Sequence, residues 1–235
     1  MANSWFRFKQ FLVNQDRCAM KVSTDAVLLG AKAGSGKPKR ILDIGAGTGV
    51  ISLMLAQRFP KALITAVEID KDAFQQCQEN FEASPFADRL DIYQSPIQEF
   101  RSDEKFDLIV SNPPYYNDHL KSSDSKRNKA LHTEDLSYRE LLESCRNLLA
   151  EEGEFWLILP PRQMRELAIM ARGFGFNSSY SMQIFHRPGK EQHREIQTFS
   201  MGFKSDFIEK FYLKDENEVY SPAYKKLLTE FLLEF

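Results

Sequence analysis

The chain has 235 residues, 43% of them hydrophobic and 27% charged, with 31 Lys or Arg against 33 Asp or Glu for a net charge of -2. That length suits one α/β domain with small additions, the balanced charge argues against a generally basic nucleic-acid binder, and no run approaches the roughly twenty apolar residues of a membrane span. Cys18, Cys77 and Cys145, like His119, His132, His186 and His193, lie without disulfide or metal-ligand spacing, so buried thiols and no metal are expected.

In chain order, the opening Met1-Ala2-Asn3-Ser4-Trp5 lacks the basic-then-apolar order of a secretory signal, and a cytoplasmic protein is expected. Residues 1–40 carry eight Lys or Arg (Arg7, Lys9, Arg17, Lys21, Lys32, Lys37, Lys39, Arg40) against Asp16 and Asp25; eight less two gives +6 there, leaving -8 for the rest. Such a run is either a solvated face or a rim for phosphates. Ser23-Thr24-Asp25 offers an N-cap and an early acid for a helix running to Ala33, which Gly34-Ser35-Gly36 ends.

From Arg40 onward, short runs rich in Ile, Val and Leu alternate with segments of helical period, the pattern of a parallel sheet covered by helices. The spacing predicts strands at 41–44, 63–68, 90–93, 106–110 and 154–159, with helices at 49–59, 71–81, 138–150 and 162–172. Two later runs, 179–185 and 194–201, flank Arg187-Pro188-Gly189-Lys190 and read as an antiparallel hairpin. The fold class is therefore α/β: a doubly wound, mostly parallel seven-stranded sheet with an antiparallel C-terminal hairpin. Tyr224, Leu227, Leu228, Phe231, Leu232 and Phe235 recur at helical spacing as one apolar face, suited to the body of the protein or to a partner. One domain is expected over 1–235, with 1–39 as lid or flank, 40–203 as catalytic core and 204–235 as a helical extension.

Two motifs carry chemistry. Asp43-Ile44-Gly45-Ala46-Gly47-Thr48-Gly49 closes the first core strand. Ligands of open parallel sheets sit beyond the carboxyl ends of the strands, where glycines allow close backbone approach and the next helix presents free N–H groups. A dinucleotide fingerprint would place its third glycine where Val50 stands, so a different nucleoside cofactor is indicated. Glu68 ends the next strand, placed to take both hydroxyls of a ribose, with Ile69 beside it. Asp43 is suited either to a cofactor ammonium or to orienting the turn.

The second motif, Asn112-Pro113-Pro114-Tyr115, follows the fourth core strand. The lone pair of an exocyclic base amine is delocalised into its ring and is a poor nucleophile. An Asn112 side-chain oxygen and the Pro113 carbonyl, held by two rigid prolines, can accept both amine hydrogens and turn the lone pair toward an incoming methyl group. Tyr115 supplies a π face for a base drawn out of its stack; Tyr116 either assists or packs. Lys121, Lys126, Arg127 and Lys129 follow in a polar, aperiodic stretch, a second candidate phosphate contact.

The turn and the order of elements resemble the S-adenosylmethionine-dependent methyltransferase class with a seven-stranded, Rossmann-like sheet, over most of 40–203. In that class an acid after the third strand reaches the cofactor adenine. Here the stretch reads Gln94-Ser95-Pro96-Ile97, so the resemblance makes Ser95, Pro96 and Ile97 the candidates, with Ser95 in place of the usual acid. The Asn112 motif resembles enzymes that methylate adenine amines in DNA or RNA, and those that methylate glutamine amides in release factors. The latter family carries a sizeable helical domain before the catalytic one, whereas about forty residues precede it here, which favours a nucleobase.

Residues 8–15 and 20–30, with Tyr220-Ser221-Pro222 and 227–235, look like the ends of the bacterial family that methylates the adenine beside the anticodon of a valine tRNA. That resemblance implies S-adenosylmethionine as cofactor, tRNA as partner, methyl transfer to adenine N6, and no obligate protein partner. It also implies a cofactor-closing role for the segment before the sheet, making Lys21, Thr24 and Asp25 candidates; helix-dipole pairing is the competing account of Asp25. His132 and Glu134 resemble part of a stretch that recurs after the motif, although Leu131 stands where the family has Arg. The rival functions are a protein-glutamine methyltransferase, an adenine methyltransferase for another RNA or DNA, and a nucleic-acid module without turnover. The last predicts a broken Asn112 motif, and 112–115 is intact.

Overall fold

Alternating side chains along the central strands are apolar on both faces, and this dictates a sheet covered on both sides. The computed structural model describes residues 3–114, 137–202 and 206–234. Along β3 (Arg40–Ile44), Ile41 joins one buried cluster while Leu42 and Ile44 join the other. Phe106 and Ile109 of β6 (Phe106–Ser111) alternate with Leu108 and Val110 in the same way, as do Phe155 and Leu157 of β7 (Leu149–Leu159) with Trp156 and Ile158.

One cluster takes in α1 (Thr24–Lys32), α2 (Val50–Arg58) and part of α3 (Lys71–Glu82); the other takes in α4 (Tyr138–Leu148) and α5 (Pro161–Gly173). With β4 (Leu63–Glu68), β5 (Leu90–Gln94), β8 (Asn177–Phe185), β9 (Gln192–Ser200) and β10 (Phe207–Tyr212), the strands run in the order β10-β8-β9-β7-β6-β3-β4-β5. β3 is parallel to both β4 and β6, and the chain reverses its direction of travel between these neighbours. The carboxyl ends of β3 and β6 therefore border the switch point at which such sheets bind ligands. β9 runs antiparallel to β7 and β8, the hairpin expected from the sequence.

Three features differ from the expectation. Residues 207–212 form an eighth strand parallel to β8, in a stretch read as helical; Phe211 is buried in the core while Phe207 and Ile208 stay exposed, and Glu209-Lys210 between them break the apolar run. The C-terminal helix shrinks to α6 (Pro222–Leu228), but Tyr224, Leu228 and Phe231 are buried in the main cluster, so that apolar face belongs to the body. Finally, β1 (Trp5–Arg7) and β2 (Leu12–Asn14) make a small hairpin whose three-residue strands are too short to show a period.

This hairpin is held from α3. Asn80 is 1% exposed, its Oδ1 accepts from Asn14 N at 2.8 Å, and its Nδ2 donates to Asn14 O and Thr48 O, each at 2.9 Å. One turn earlier, Gln76 Oε1 accepts from Arg17 N at 3.2 Å. Phe8, fully buried, adds the segment to the main core.

Candidate active site

A cleft of about 280 Å³ opens at the carboxyl ends of β3, β4, β5 and β6. Its floor and walls include Gly45, Gly47, Glu68, Ile69, Ser95, Pro96, Ile97, Ser111, Asn112, Pro113 and Pro114, so the structure gathers most of the residues singled out in the sequence.

The glycine turn is built by strand ends and carboxylates. Gly45 N and Ala46 N donate to Val67 O at 2.8 and 3.3 Å, which bends the chain from β3 toward β4. Glu68, 8% exposed, accepts from Gly47 N through Oε2 at 2.8 Å and from Asp70 N through Oε1 at 2.9 Å. Gly45 and Gly47 have φ of +74° and +55°, and a Cβ added to either meets no protein atom within 4 Å. Open space over positive-φ glycines, beside a carboxylate with lone pairs to spare, fits a ribose and the chain attached to it.

Gly49 is a glycine for a different reason. It is the N-cap of α2 with φ +79°, and an added Cβ would lie 2.6 Å from both Cys77 Sγ and Phe81 Cε1. Gly49→Ala is expected to lower stability by roughly 2–4 kcal/mol, combining left-handed strain with overpacking, as read by denaturant midpoint. A change under 0.5 kcal/mol would mean that α3 yields freely.

Asp43 is fully buried and does not itself line the cleft; its Oδ2 accepts from Ser52 N at 3.2 Å and Ser52 Oγ at 2.7 Å. Ser52 is the third residue of α2, whose N-cap glycine has no side chain to offer, so Asp43 caps the helix from the preceding strand. These bonds give Asp43 a part in orienting the turn, while its Oδ1 is buried with no hydrogen-bond partner among the described residues. Burial, opposed by the Ser52 bonds and reinforced by repulsion from Glu68, raises its pKa to about 7. A carboxyl whose folded pKa exceeds its unfolded one stabilises most at low pH and loses that contribution as pH rises, here from about 4 to about 7. Asp43→Asn should flatten the fall in stability over that window; an unchanged pH profile of unfolding would place its cause elsewhere.

Asn112 follows immediately on the last paired residue of β6. Its Oδ1 is buried yet has no hydrogen-bond partner among the described residues. An unpaired buried acceptor is costly to keep, and at the edge of a ligand cleft it marks a place reserved for a donor. Tyr115, Tyr116, His119, Lys121, Lys126, Arg127, Lys129, Leu131, His132 and Glu134 lie outside the described residues.

Other expectations shift. Ser95 Oγ donates to Pro96 O at 2.9 Å, which leaves its lone pairs open to an amine. Ala46 and Gly49 shape the turn without lining the cleft. The segment before α1 does border the cleft, but through Cys18, Ala19 and Met20 rather than Lys21 and Thr24. Lys21 Nζ donates to Asn3 O at 3.1 Å, and Thr24 is exposed at the start of α1. Asp25 pairs with Arg194 at 2.6 Å, both side chains 14% exposed, and this ion pair fixes α1 to β9. Of the N-terminal bases, Arg17, Lys32 and Arg40 are engaged by Glu79, Glu209 and Glu104, which reduces the rim read from the sequence. Cys18 is half the story of the missed wall: it is a buried thiol raised to about 11 by burial, so it stays protonated beside the cleft. Gln98 was also missed. Neither residue belongs to a motif.

A doubly wound sheet with a glycine turn, an acid on the following strand and an Asn-Pro-Pro edge defines a Rossmann-like methyltransferase, and S-adenosylmethionine is its cofactor. The methyltransferase small domain family matches residues 24–181. A tRNA1(Val) (adenine(37)-N6)-methyltransferase of Pedobacter heparinus is 41% identical over 230 residues, 98% of both chains, and that of Parabacteroides distasonis is 54% identical over 174 residues, 73% of both. Among solved structures, Atu636 from Agrobacterium tumefaciens, described as a predicted O-methyltransferase, aligns with a TM-score of 0.70 at 21% identity over 88% of this chain and 96% of that one, a likeness of fold. The chain belongs to the tRNA1(Val) (adenine(37)-N6)-methyltransferase family.

Proposed function

We propose that the protein methylates the exocyclic N6 amine of an adenine in tRNA, adenine 37 of tRNA1(Val) as in its relatives. The observation that carries this reading is the buried Asn112 Oδ1 at the lip of the cleft, which has no hydrogen-bond partner among the described residues. S-adenosylmethionine, when bound, supplies a sulfonium methyl group whose C–S bond breaks as the new C–N bond forms. Asn112 Oδ1 takes one amine hydrogen and the Pro113 carbonyl the other, which draws the nitrogen lone pair out of the ring and toward the methyl. The displaced proton becomes acidic only after transfer and passes to water, so no strong base is needed.

Gly45, Gly47 and Glu68 hold the ribose and its attached chain; Ile69, Ser95, Pro96 and Ile97 flank the adenine. Tyr115 stacks on the flipped base. Residues 1–235 act as one unit whose N-terminal segment supplies the wall at 18–20, and the bases of 121–129 meet phosphate. No protein partner is required. No helix among the described residues is long and apolar enough to cross a membrane, and a tRNA substrate implies work in the cytoplasm.

Transfer of labelled methyl groups to tRNA lacking its own modifications, followed by nucleoside analysis, tests the proposal. N6-methyladenosine at one site is the expected product. Label in a protein fraction and none in tRNA would replace this reading with glutamine methylation.

A further inference from the structure

We infer that Ser111 is a positioning residue for methyl transfer, its buried hydroxyl tying the start of the cofactor turn to the start of the Asn112 motif. This rests on the function proposed above and concerns a residue outside both motifs. Ser111 Oγ donates to Ile44 O at 2.9 Å, and the two residues are 1% and 2% exposed.

They also form the last pair of the β3–β6 register, as Ser111 and Leu157 do between β6 and β7. Past that pair the strands part. Gly45 turns toward β4 through Val67 O, while Asn112 leaves the sheet with its Oδ1 unpaired among the described residues. Ile44 directly precedes the glycine turn, and Ser111 directly precedes Asn112. Their side-chain link therefore spans the gap between the element that holds the methyl donor and the element that holds the acceptor.

A hydroxyl at an otherwise apolar, buried strand position is costly unless its donor is used, and here it is used at this junction. One neutral hydrogen bond contributes little to global stability, whereas a displacement of about 1 Å between reacting groups costs on the order of 100-fold in rate. The effect of losing it should thus appear in turnover and not in folding.

The test compares Ser111→Ala and Ser111→Thr with the parent by cofactor affinity in calorimetry, melting temperature and single-turnover methylation of tRNA. For Ser111→Ala we expect affinity within about 3-fold and a rate lowered by roughly 10–100-fold, with Ser111→Thr back within about 5-fold of the parent. A folded Ser111→Ala variant with a parental rate overturns the inference. So does an affinity that falls in step with the rate, which would make the hydroxyl a cofactor contact, or a Thr variant as slow as Ala, which would make the effect one of packing. Should Ser111→Ala not fold, Ser111→Cys is read in the same way. If the parent itself leaves tRNA unmethylated, the function reading fails and hydrogen exchange decides this one: Ser111→Ala must speed exchange at the Gly45 and Asn112 amides and Ser111→Thr must not.

Discussion

Asn112→Ala is expected to lower the rate of methyl transfer by roughly 100- to 1000-fold while leaving the affinity for S-adenosylmethionine within about 3-fold. The lost hydrogen bond to the amine accounts for about 1–3 kcal/mol. Geometry supplies the rest, because without an acceptor the amine returns to conjugation with its ring and its lone pair no longer points at the methyl. The variant should also be stable. Among the described residues the wild-type oxygen is buried without a partner, so truncation removes an unsatisfied acceptor. Asn112→Asp is the sharper companion: its shape is kept, but a carboxylate in a shielded place holds the amine hydrogens while carrying a desolvation cost. Single-turnover kinetics with calorimetry separate the two effects, and an Ala variant turning over at the parental rate would remove Asn112 from the chemistry.

That much could be read from the sequence because both motifs sit at the ends of strands buried on both faces, where local pattern and tertiary role coincide. β3, β4 and β6 were legible for that reason, each an apolar run closed by a turn. What the sequence concealed depends on distant partners. The wall at Cys18, Ala19 and Met20 is placed by Asn80 and Gln76, whose bonds to Asn14 and Arg17 cross 66 and 59 residues of chain. No local period encodes such a link, so the candidates chosen there, Lys21 and Thr24, fell a few residues past the wall. Asp25 drew attention as an early helical acid, yet its partner is Arg194, 169 residues away. β10 escaped because Glu209 and Lys210 interrupt its apolar residues, Phe207-Ile208 and Phe211-Tyr212, so it shows neither a continuous apolar run nor a strict alternation.

Glu68→Ala should show the opposite signature to Asn112→Ala: cofactor affinity lost by roughly 100-fold or more, with the rate at saturating cofactor largely retained. Two hydrogen bonds from ribose hydroxyls to a charged acceptor are worth about 1.5–3 kcal/mol each, and every 1.4 kcal/mol is a factor of ten in affinity. The carboxylate has a second task, since each oxygen already accepts one backbone N–H, from Gly47 at 2.8 Å and from Asp70 at 2.9 Å. Glu68→Gln is therefore not conservative. A carboxamide has one acceptor oxygen, so its NH₂ group must face one of these two donors, and either the glycine turn or the first turn of α3 gives way. The Gln variant should bind little better than Ala, while Glu68→Asp, shorter but with both acceptors, should lie between Ala and the parent. Calorimetric titration of the four proteins checks the order. Parental affinity in Glu68→Gln would mean that one oxygen suffices for the ribose and that the turn holds without its brace.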